Sequence, residues 1–185
     1  MIIGLCGRKG CGKSSFADYA VELGLKKLSF ASPIKNALEA MGVDEVRLND
    51  PDLKERPTSY VFGGLTPRRL MQLLGTEFGR NLVSNSIWID HLIERMRGMG
   101  GDDFIIDDVR FDNEAEAIKL EGGIIVEVIR DDSFYSKNDT HISEHGVSTE
   151  LIDEQFDNKS CYSMDFKIGV EHLLNKIEVE RLANV

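Results

Sequence analysis

The residues Gly7-Arg8-Lys9-Gly10-Cys11-Gly12-Lys13-Ser14 fit the spacing G-x-x-x-x-G-K-[ST]. These residue types in this order can bind a nucleoside triphosphate. Glycines accept backbone angles that turn N–H groups onto phosphate oxygens, and a helix starting at the loop adds partial positive charge. Lys13 can reach the β- and γ-phosphates, and the Ser14 hydroxyl can ligate Mg2+. The donor-binding stretch so defined runs through Gly7, Arg8, Lys9, Gly10, Cys11, Gly12, Lys13, Ser14 and Ser15. Arg8 and Lys9 either add charge toward the anion or are solvated surface cations. Cys11 fills a variable position of the pattern; if exposed, its oxidation would block the loop.

A second candidate is "FIIDD" (104–108), an apolar run closed by two acids. An acid at the carboxyl end of such a strand can support Mg2+ beside a phosphate loop, and open α/β sheets bind ligands at that end. Asp107 and Asp108 are both candidates, with a helix cap or surface turn as the plain alternative. Arg110 follows two residues after Asp108, and a strand's period of two would put both on one side. Arg68, Arg69, Arg80, Arg110, Arg130 and Lys137 lie in segments able to bring cations to a transferring phosphoryl group.

These residues need elements to position them. "MIIGLC" reads as a buried strand ending at Gly7, and Phe16, Ala20 and Leu23 recur at helical spacing after Lys13. The glycine-rich loop therefore joins a strand to a helix. "KLSFA" (27–31) reads as a second strand, and Pro33 opens a helix over "PIKNALEAMG". Residues 43–66 are polar, with Pro51, Pro57 and paired glycines, and read as a long functional loop. Thr66 and Pro67 start the helix "PRRLMQLLG", which is expected to bury Leu70, Leu73 and Leu74. Ser86 is the expected cap of "SIWIDHLIERMRG". After the strand at 103–109, Asp112 is the expected cap of "NEAEAIKLEGG". "GIIVEVI" (123–129) is a further strand and residues 130–146 a lid-like polar segment. "MDFKIG" (164–169) reads as a last short strand, and "VEHLLNKIEVERL" as a closing helix. The alternation predicts a single α/β domain over residues 1–185, three layers around a mostly parallel sheet.

Hydrophobic residues make up 42% of the 185, enough to build a core. The net charge of −10 argues against a nucleic-acid polymer as partner, because backbone binders present basic surfaces. Cys6, Cys11 and Cys161 make neither an even disulfide framework nor a C-x-x-C pair, which points to a reducing, cytoplasmic compartment. The first residues lack the basic start of a signal peptide, and no apolar run reaches the length of a membrane span.

A bound triphosphate can be transferred, hydrolysed or used as a switch. A GTPase switch would carry N-K-x-D; the chain has "DNKS" (157–160) instead. A small-molecule kinase needs cations to stabilise the transferring group and a lid to exclude competing water. The arginine-bearing segments and the two long polar stretches favour this use.

Several separated stretches then carry a family likeness: "FASPIKNAL" (30–38), "RRLMQLLGTEFGRNL" (68–82) with Trp88 after it, "DDVRFDNEAEAIKLEGG" (107–123) with "VIR" (128–130), and "NDTHISEHG" (138–146). With the phosphate loop, the chain resembles the bacteriophage deoxynucleoside monophosphate kinases. The resemblance implies a P-loop kinase fold with an acceptor-side insertion at 43–66 and a lid. It implies transfer from ATP, with Mg2+, to a deoxynucleoside monophosphate in the cytoplasm of a host cell. It implies a catalytic set of Lys13, Arg68, Asp108, Arg110 and Arg130. Lys35 and Arg68 would contact the acceptor phosphate, and Gln72, Gly75, Thr76 and Trp88 would shape the acceptor site. Asp108 and Arg110 would lie beside the acceptor with Glu114 in support. Arg130 and the segment from Thr140 to Glu144 would close over it. Ser14 and Asp107, or else Asp108, would hold Mg2+. Trp88 would offer a flat face to a base or else serve as a core aromatic.

One part departs from the family. A turn of the type N-D/E-G is expected after the last strand, near the donor base, and "DFKIGVEHLL" (165–174) lacks that asparagine. "HISEH" (141–145) matches a zinc-protease spacing, but its flanks leave little room for the helix that chemistry needs. Asn138 and Asn158 head formal glycosylation triplets, which carry no meaning in a cytosolic chain. The competing functions are a kinase for another phosphorylated acceptor, such as dephospho-coenzyme A, and a nucleotide-binding regulatory module. A homodimer is left open.

Overall fold

The computed structural model describes residues 1–58, 62–101, 103–130, 146–159 and 163–183. The chain divides into two compact units, Met1–Ser29 with Gly98–Val185, and Phe30–Arg97.

The first unit is built on five strands: β1 (Ile2–Cys6), β2 (Lys26–Leu28), β3 (Phe104–Ile106), β4 (Ile124–Ile129) and β5 (Glu154–Asp157). They pair in the order β2-β3-β1-β4-β5, and every pairing is parallel. β1 and β3 are continuous apolar runs because helices cover both faces of the sheet. On one face, Ile3, Leu5, Ile105 and Val126 pack with Phe16, Ala17 and Ala20 of helix α1 (Lys13–Glu22). Val170, Leu173, Leu174 and Ile177 of helix α7 (Met164–Ala183) join the same core. On the other face, Ile118 of helix α6 (Asp112–Leu120) lies over Gly4 and beside Ile125. The expected three layers are present, and the sheet is wholly parallel.

Two expectations at the carboxyl-terminal end are overturned. "MDFKIG" is not a strand but the first turns of α7. Its alternation misleads because the buried positions, Phe166, Val170, Leu173, Leu174 and Ile177, follow helical spacing, while Met164 and Ile168 are exposed. The last strand is "EQFD", an edge strand that buries only Phe156 and so carries almost no apolar signal. Asn158 follows it directly, so an asparagine does stand after the last strand.

Smaller corrections have local causes. β2 stops at Leu28, and Ser29 leaves the strand to donate its hydroxyl to Asp108 Oδ2 at 2.8 Å. Asp112 is the first residue of α6 rather than its cap; Glu114 instead reaches back to the N–H groups of Arg110 (2.7 Å) and Phe111 (3.1 Å). β3 ends at Ile106, so strand periodicity does not relate Asp108 to Arg110.

The second unit is helical. Helix α2 (Ser32–Ala40) starts with Pro33 as expected. The 43–66 segment is not simply a loop: it contains helix α3 (Glu45–Asn49) and a 3-10 turn at Leu53–Glu55. The Asp44 carboxylate caps α3, accepting from Val46 N at 2.9 Å and Arg47 N at 3.4 Å. Helix α4 (Pro67–Gln72) has Thr66 as its cap, with the hydroxyl accepting from Arg69 N at 3.2 Å. It runs into an eleven-residue π-helix, Leu73–Val83, and helix α5 (Ile87–Met99) follows. Leu70, Leu73 and Leu74 are only half-buried; Gly75 and Gly79 are the buried positions of the π-helix. The unit's core is Ile34, Leu38, Val43 and Leu48, with Phe62, Leu70, Met71, Leu74 and Trp88 packed around it. Among the described residues no helix is long and apolar enough to cross a membrane.

Candidate active site

Because all five strands run the same way, five segments emerge at one edge of the sheet: the loop after β1, Ser29 after β2, the acids after β3, Arg130 after β4 and Asn158 after β5. The carboxyl edge of a parallel sheet is where ligands bind in open α/β folds.

The loop after β1 is held by close approach and by its own lysine. Gly7 has φ of 124°, and a Cβ there would stand 2.4 Å from the Val128 carbonyl oxygen, so only glycine fits. Lys13 Nζ donates to the carbonyls of Gly7 (2.6 Å) and Arg8 (2.9 Å) and lies 3.6 Å from Cys11 Sγ. α1 begins at Lys13, so its first N–H groups open at the loop. Arg8, Lys9, Gly10 and Ser14 are exposed and Ser15 is half-buried. Cys11 is fully buried, at 0% exposure, which removes the premise that its thiol is open to oxidation. Cys6 is buried as well; burial first, then the Glu127 carboxylate, push its thiol up to about 12, so it is not a nucleophile at neutral pH.

The two acids after β3 differ. Asp107 Oδ2 pairs with Lys27 Nζ at 2.9 Å, and Lys27 also pairs with Asp18 of α1 at 2.8 Å. Burial pulls the Lys27 pKa down, but Asp107 and Asp18 together outweigh it and hold the ammonium above its ordinary value. Asp108 accepts from the neutral Ser29 hydroxyl. Arg110 is half-buried, and its backbone N–H is held by Glu114, itself only 3% exposed. Glu114 thus supports the Arg110 segment, through the main chain.

Arg130 reaches the loop: its Nη1 lies 3.5 Å from the Gly10 carbonyl oxygen. Asn158, which sequence reasoning set aside as a glycosylation triplet, donates Nδ2 to the Cys11 carbonyl at 2.7 Å. No pattern in the sequence marked it, because the misread last strand put the wrong residues at the sheet edge.

The second unit holds the expected acceptor residues on elements that share one core. Lys35 stands on α2 and donates to Asn49 Oδ1 at 2.8 Å. Arg68, in the first turn of α4, is ion-paired with Glu55, and Arg69 with Glu77 at 3.1 Å. Gln72 ends α4; Gly75 and Thr76 lie in the π-helix. Trp88 of α5 donates Nε1–H to the Gly75 carbonyl at 2.7 Å. Its indole abuts Gly79, where a Cβ would meet Cζ2 at 2.5 Å. Trp88 is therefore built into the support of the π-helix. Thr140, Glu144, Lys137, Cys161, "HISEH" and most of the lid-like segment lie outside the described residues. Among the described residues no group of three His, Cys, Asp or Glu could hold a metal ion.

The family model described as "Deoxynucleotide monophosphate kinase" matches residues 61–164. A protein of Acanthamoeba polyphaga mimivirus named "Putative deoxynucleotide monophosphate kinase" is 34% identical over 158 residues, 78% of this chain and 80% of that one. The deoxynucleoside-5'-monophosphate kinase of Escherichia phage T5 is 32% identical over 123 residues, 64% of this chain. The match spans 49% of the T5 protein, about half its length. Among solved structures, dephospho-CoA kinase from Campylobacter jejuni superposes with a TM-score of 0.53 at 14% identity, over 97% of this chain and 98% of that one. That likeness identifies the fold as the P-loop kinase fold and says nothing of the acceptor. By its family model and its mimivirus relative, the chain belongs to the deoxynucleotide monophosphate kinase family and has that family's activity, the ATP-dependent phosphorylation of deoxynucleotide monophosphates.

Proposed function

We propose that this chain moves the γ-phosphoryl group of ATP to a deoxynucleoside 5'-monophosphate in an Mg2+-dependent step, giving ADP and the diphosphate. The observation that carries the reading is the phosphate loop at the carboxyl end of β1, in one unit with the acids that end the neighbouring strand β3. The loop amides and the start of α1 bind the donor phosphates. Lys13 leaves the Gly7 and Arg8 carbonyls for the triphosphate, an exchange of neutral acceptors for anionic ones.

The residues fit Mg2+ arriving with the triphosphate. That ion is bound in such sites by one or two carboxylates or hydroxyls together with substrate phosphates and water, not by an all-protein cage. Ser14 supplies an exposed hydroxyl on the first turn of α1. Either Asp107, paired with Lys27, or Asp108, which accepts from the Ser29 hydroxyl, supplies the supporting carboxylate. The bound ion would draw charge off the phosphate oxygens. Arg130 and Arg110 add positive charge for the transferring group, with Glu114 holding the Arg110 backbone. On the acceptor side, Arg68 and Lys35 bind the monophosphate, and Gln72, Gly75 and Thr76 form the wall that Trp88 braces. Thr140 and Glu144 belong to the closing segment. No covalent intermediate is needed; positioning and charge stabilisation suffice.

ADP release measured with each deoxynucleoside monophosphate in turn tests the reading. Turnover is expected only with ATP, Mg2+ and such an acceptor together. Turnover with dephospho-coenzyme A alone, or ATP hydrolysis indifferent to any acceptor, would overturn it.

A further inference from the structure

We propose that Asn158 is a positioning residue of the donor site, whose buried carboxamide fixes the orientation of the phosphate loop through the Cys11 carbonyl. Asn158 is 1% exposed, and its Nδ2 donates to Cys11 O at 2.7 Å. It is anchored in turn, since its own N–H donates to Ile129 O at 2.8 Å, tying the turn after β5 to the end of β4.

The consequence follows from peptide geometry. The Cys11 carbonyl and the Gly12 N–H belong to one planar trans peptide unit, in which C=O and N–H point in opposite directions. Holding the oxygen toward Asn158 therefore turns the Gly12 N–H away from it. If that peptide turned over, it would present an oxygen where the loop needs a donor, and an anion would be repelled instead of bound. Among the described residues, two other side chains tie loop carbonyls and both are cations, Lys13 on Gly7 and Arg8 and Arg130 on Gly10, the last at 3.5 Å; backbone N–H groups add bonds from Cys11 to Arg8 and from Phe16 to Gly12. Both cations are assigned to phosphate once the donor binds. Asn158 is neutral and buried, and it can keep its bond throughout. A tether of this kind acts on the donor alone.

The inference rests on the loop being the donor site, so the experiment follows ATP binding directly as well as turnover. Asn158→Leu keeps the volume and removes the donor; Asn158→Ala removes both. In both variants the Kd for ATP and the KM for ATP should rise about tenfold, the scale of one buried hydrogen bond. The KM for the monophosphate should stay within about twofold, a split that a general loss of stability would not produce. Unchanged ATP affinity in both variants, or wild-type affinity in the leucine variant alone, would overturn the tether. If the leucine variant does not fold, the rise in thermal midpoint on adding ATP decides with the alanine variant. A rise as large as the wild type's would overturn the tether. A wild type that binds ATP but never turns over a monophosphate would sink the proposed function and leave this test standing.

Discussion

On the proposed reading, the loop at Gly7–Ser15 and the acceptor segment at 67–83 would each bind phosphate, by opposite means. The loop uses main-chain dipoles. Its shape is enforced by the fit of Gly7 under Val128, by a buried Cys11 and by side chains that hold its carbonyls. The acceptor segment would use charged side chains that already have partners, Arg68 with Glu55 and Arg69 with Glu77, joined by Lys35 of α2, which is bonded to Asn49. A main-chain site is pre-organised and costs no reorganisation when its ligand arrives, whereas a side-chain site must trade one partner for another. Changes in the loop should therefore act on the donor through shape. Changes in the acceptor segment should act through charge, and its glutamates should matter less than its arginines.

The largest effect is expected at Lys13. Lys13→Ala should lower kcat/KM about a thousandfold, the scale of a lost stabilising group at a transferring phosphoryl. The monophosphate KM should be little changed. Activity close to wild type in a coupled ADP assay would mean that the loop does not hold the donor.

Next comes Arg68. Arg68→Ala should raise the KM for the monophosphate about ten- to a hundredfold, as expected for one charge-assisted hydrogen bond, with the ATP KM unchanged. Glu55→Gln, which releases the same arginine, should leave that KM within about twofold or lower it. Equal losses in the two variants would show that the ion pair, not the arginine's reach to a phosphate, is what counts.

How far each region could be read in advance follows the same division. The loop was legible because its glycines and lysine are required by backbone geometry, and geometry leaves a pattern. Gly7 is demanded by a carbonyl 2.4 Å from where its Cβ would stand. The apolar strands β1, β3 and β4 were legible because both faces are covered. β5 was not, since an edge strand with one buried residue, Phe156, looks like a polar linker. Missing it hid Asn158, whose role comes from a partner 147 residues away in sequence. In the acceptor segment, the helix start at Thr66-Pro67 was plain, but the π-helix was not. Its register depends on Trp88 lying against Gly79, and no local pattern encodes an indole arriving from α5.

That indole gives the third prediction. Gly79→Ala puts a methyl group 2.5 Å from Trp88 Cζ2, and overpacking of this kind costs about 1–3 kcal/mol. Trp88→Phe removes the Nε1 bond to Gly75 and should cost about 1 kcal/mol. Both should raise the monophosphate KM while sparing ATP binding. If Trp88 instead stacks on the base, Trp88→Phe should keep most of the affinity and Gly79→Ala should affect stability alone. Denaturant unfolding together with the two KM values separates these outcomes.

The smallest effect tests whether an exposed tie in the donor unit behaves like the buried one at Asn158. Ser148 donates both its hydroxyl (2.6 Å) and its N–H (2.8 Å) to Asp112 at the start of α6. These bonds, the hydroxyl first, hold the Asp112 carboxyl below its ordinary value of 3.8. A carboxylate whose folded pKa is depressed contributes stability above its unfolded pKa and loses it as pH falls through the folded value. Ser148→Ala should therefore lower the thermal midpoint slightly at about pH 7, where Asp112 is charged. The difference from wild type should shrink as pH falls below 3.8 and vanish below the depressed folded value, where both forms have taken up the proton. ATP affinity should not move, because the bond touches neither the loop nor its tether. A difference that persists on acidification would mean that the serine contributes by packing rather than through the carboxylate. A loss of ATP affinity would mean that surface ties in this unit reach the donor site, and the contrast between the buried carboxamide and its exposed neighbours would no longer hold.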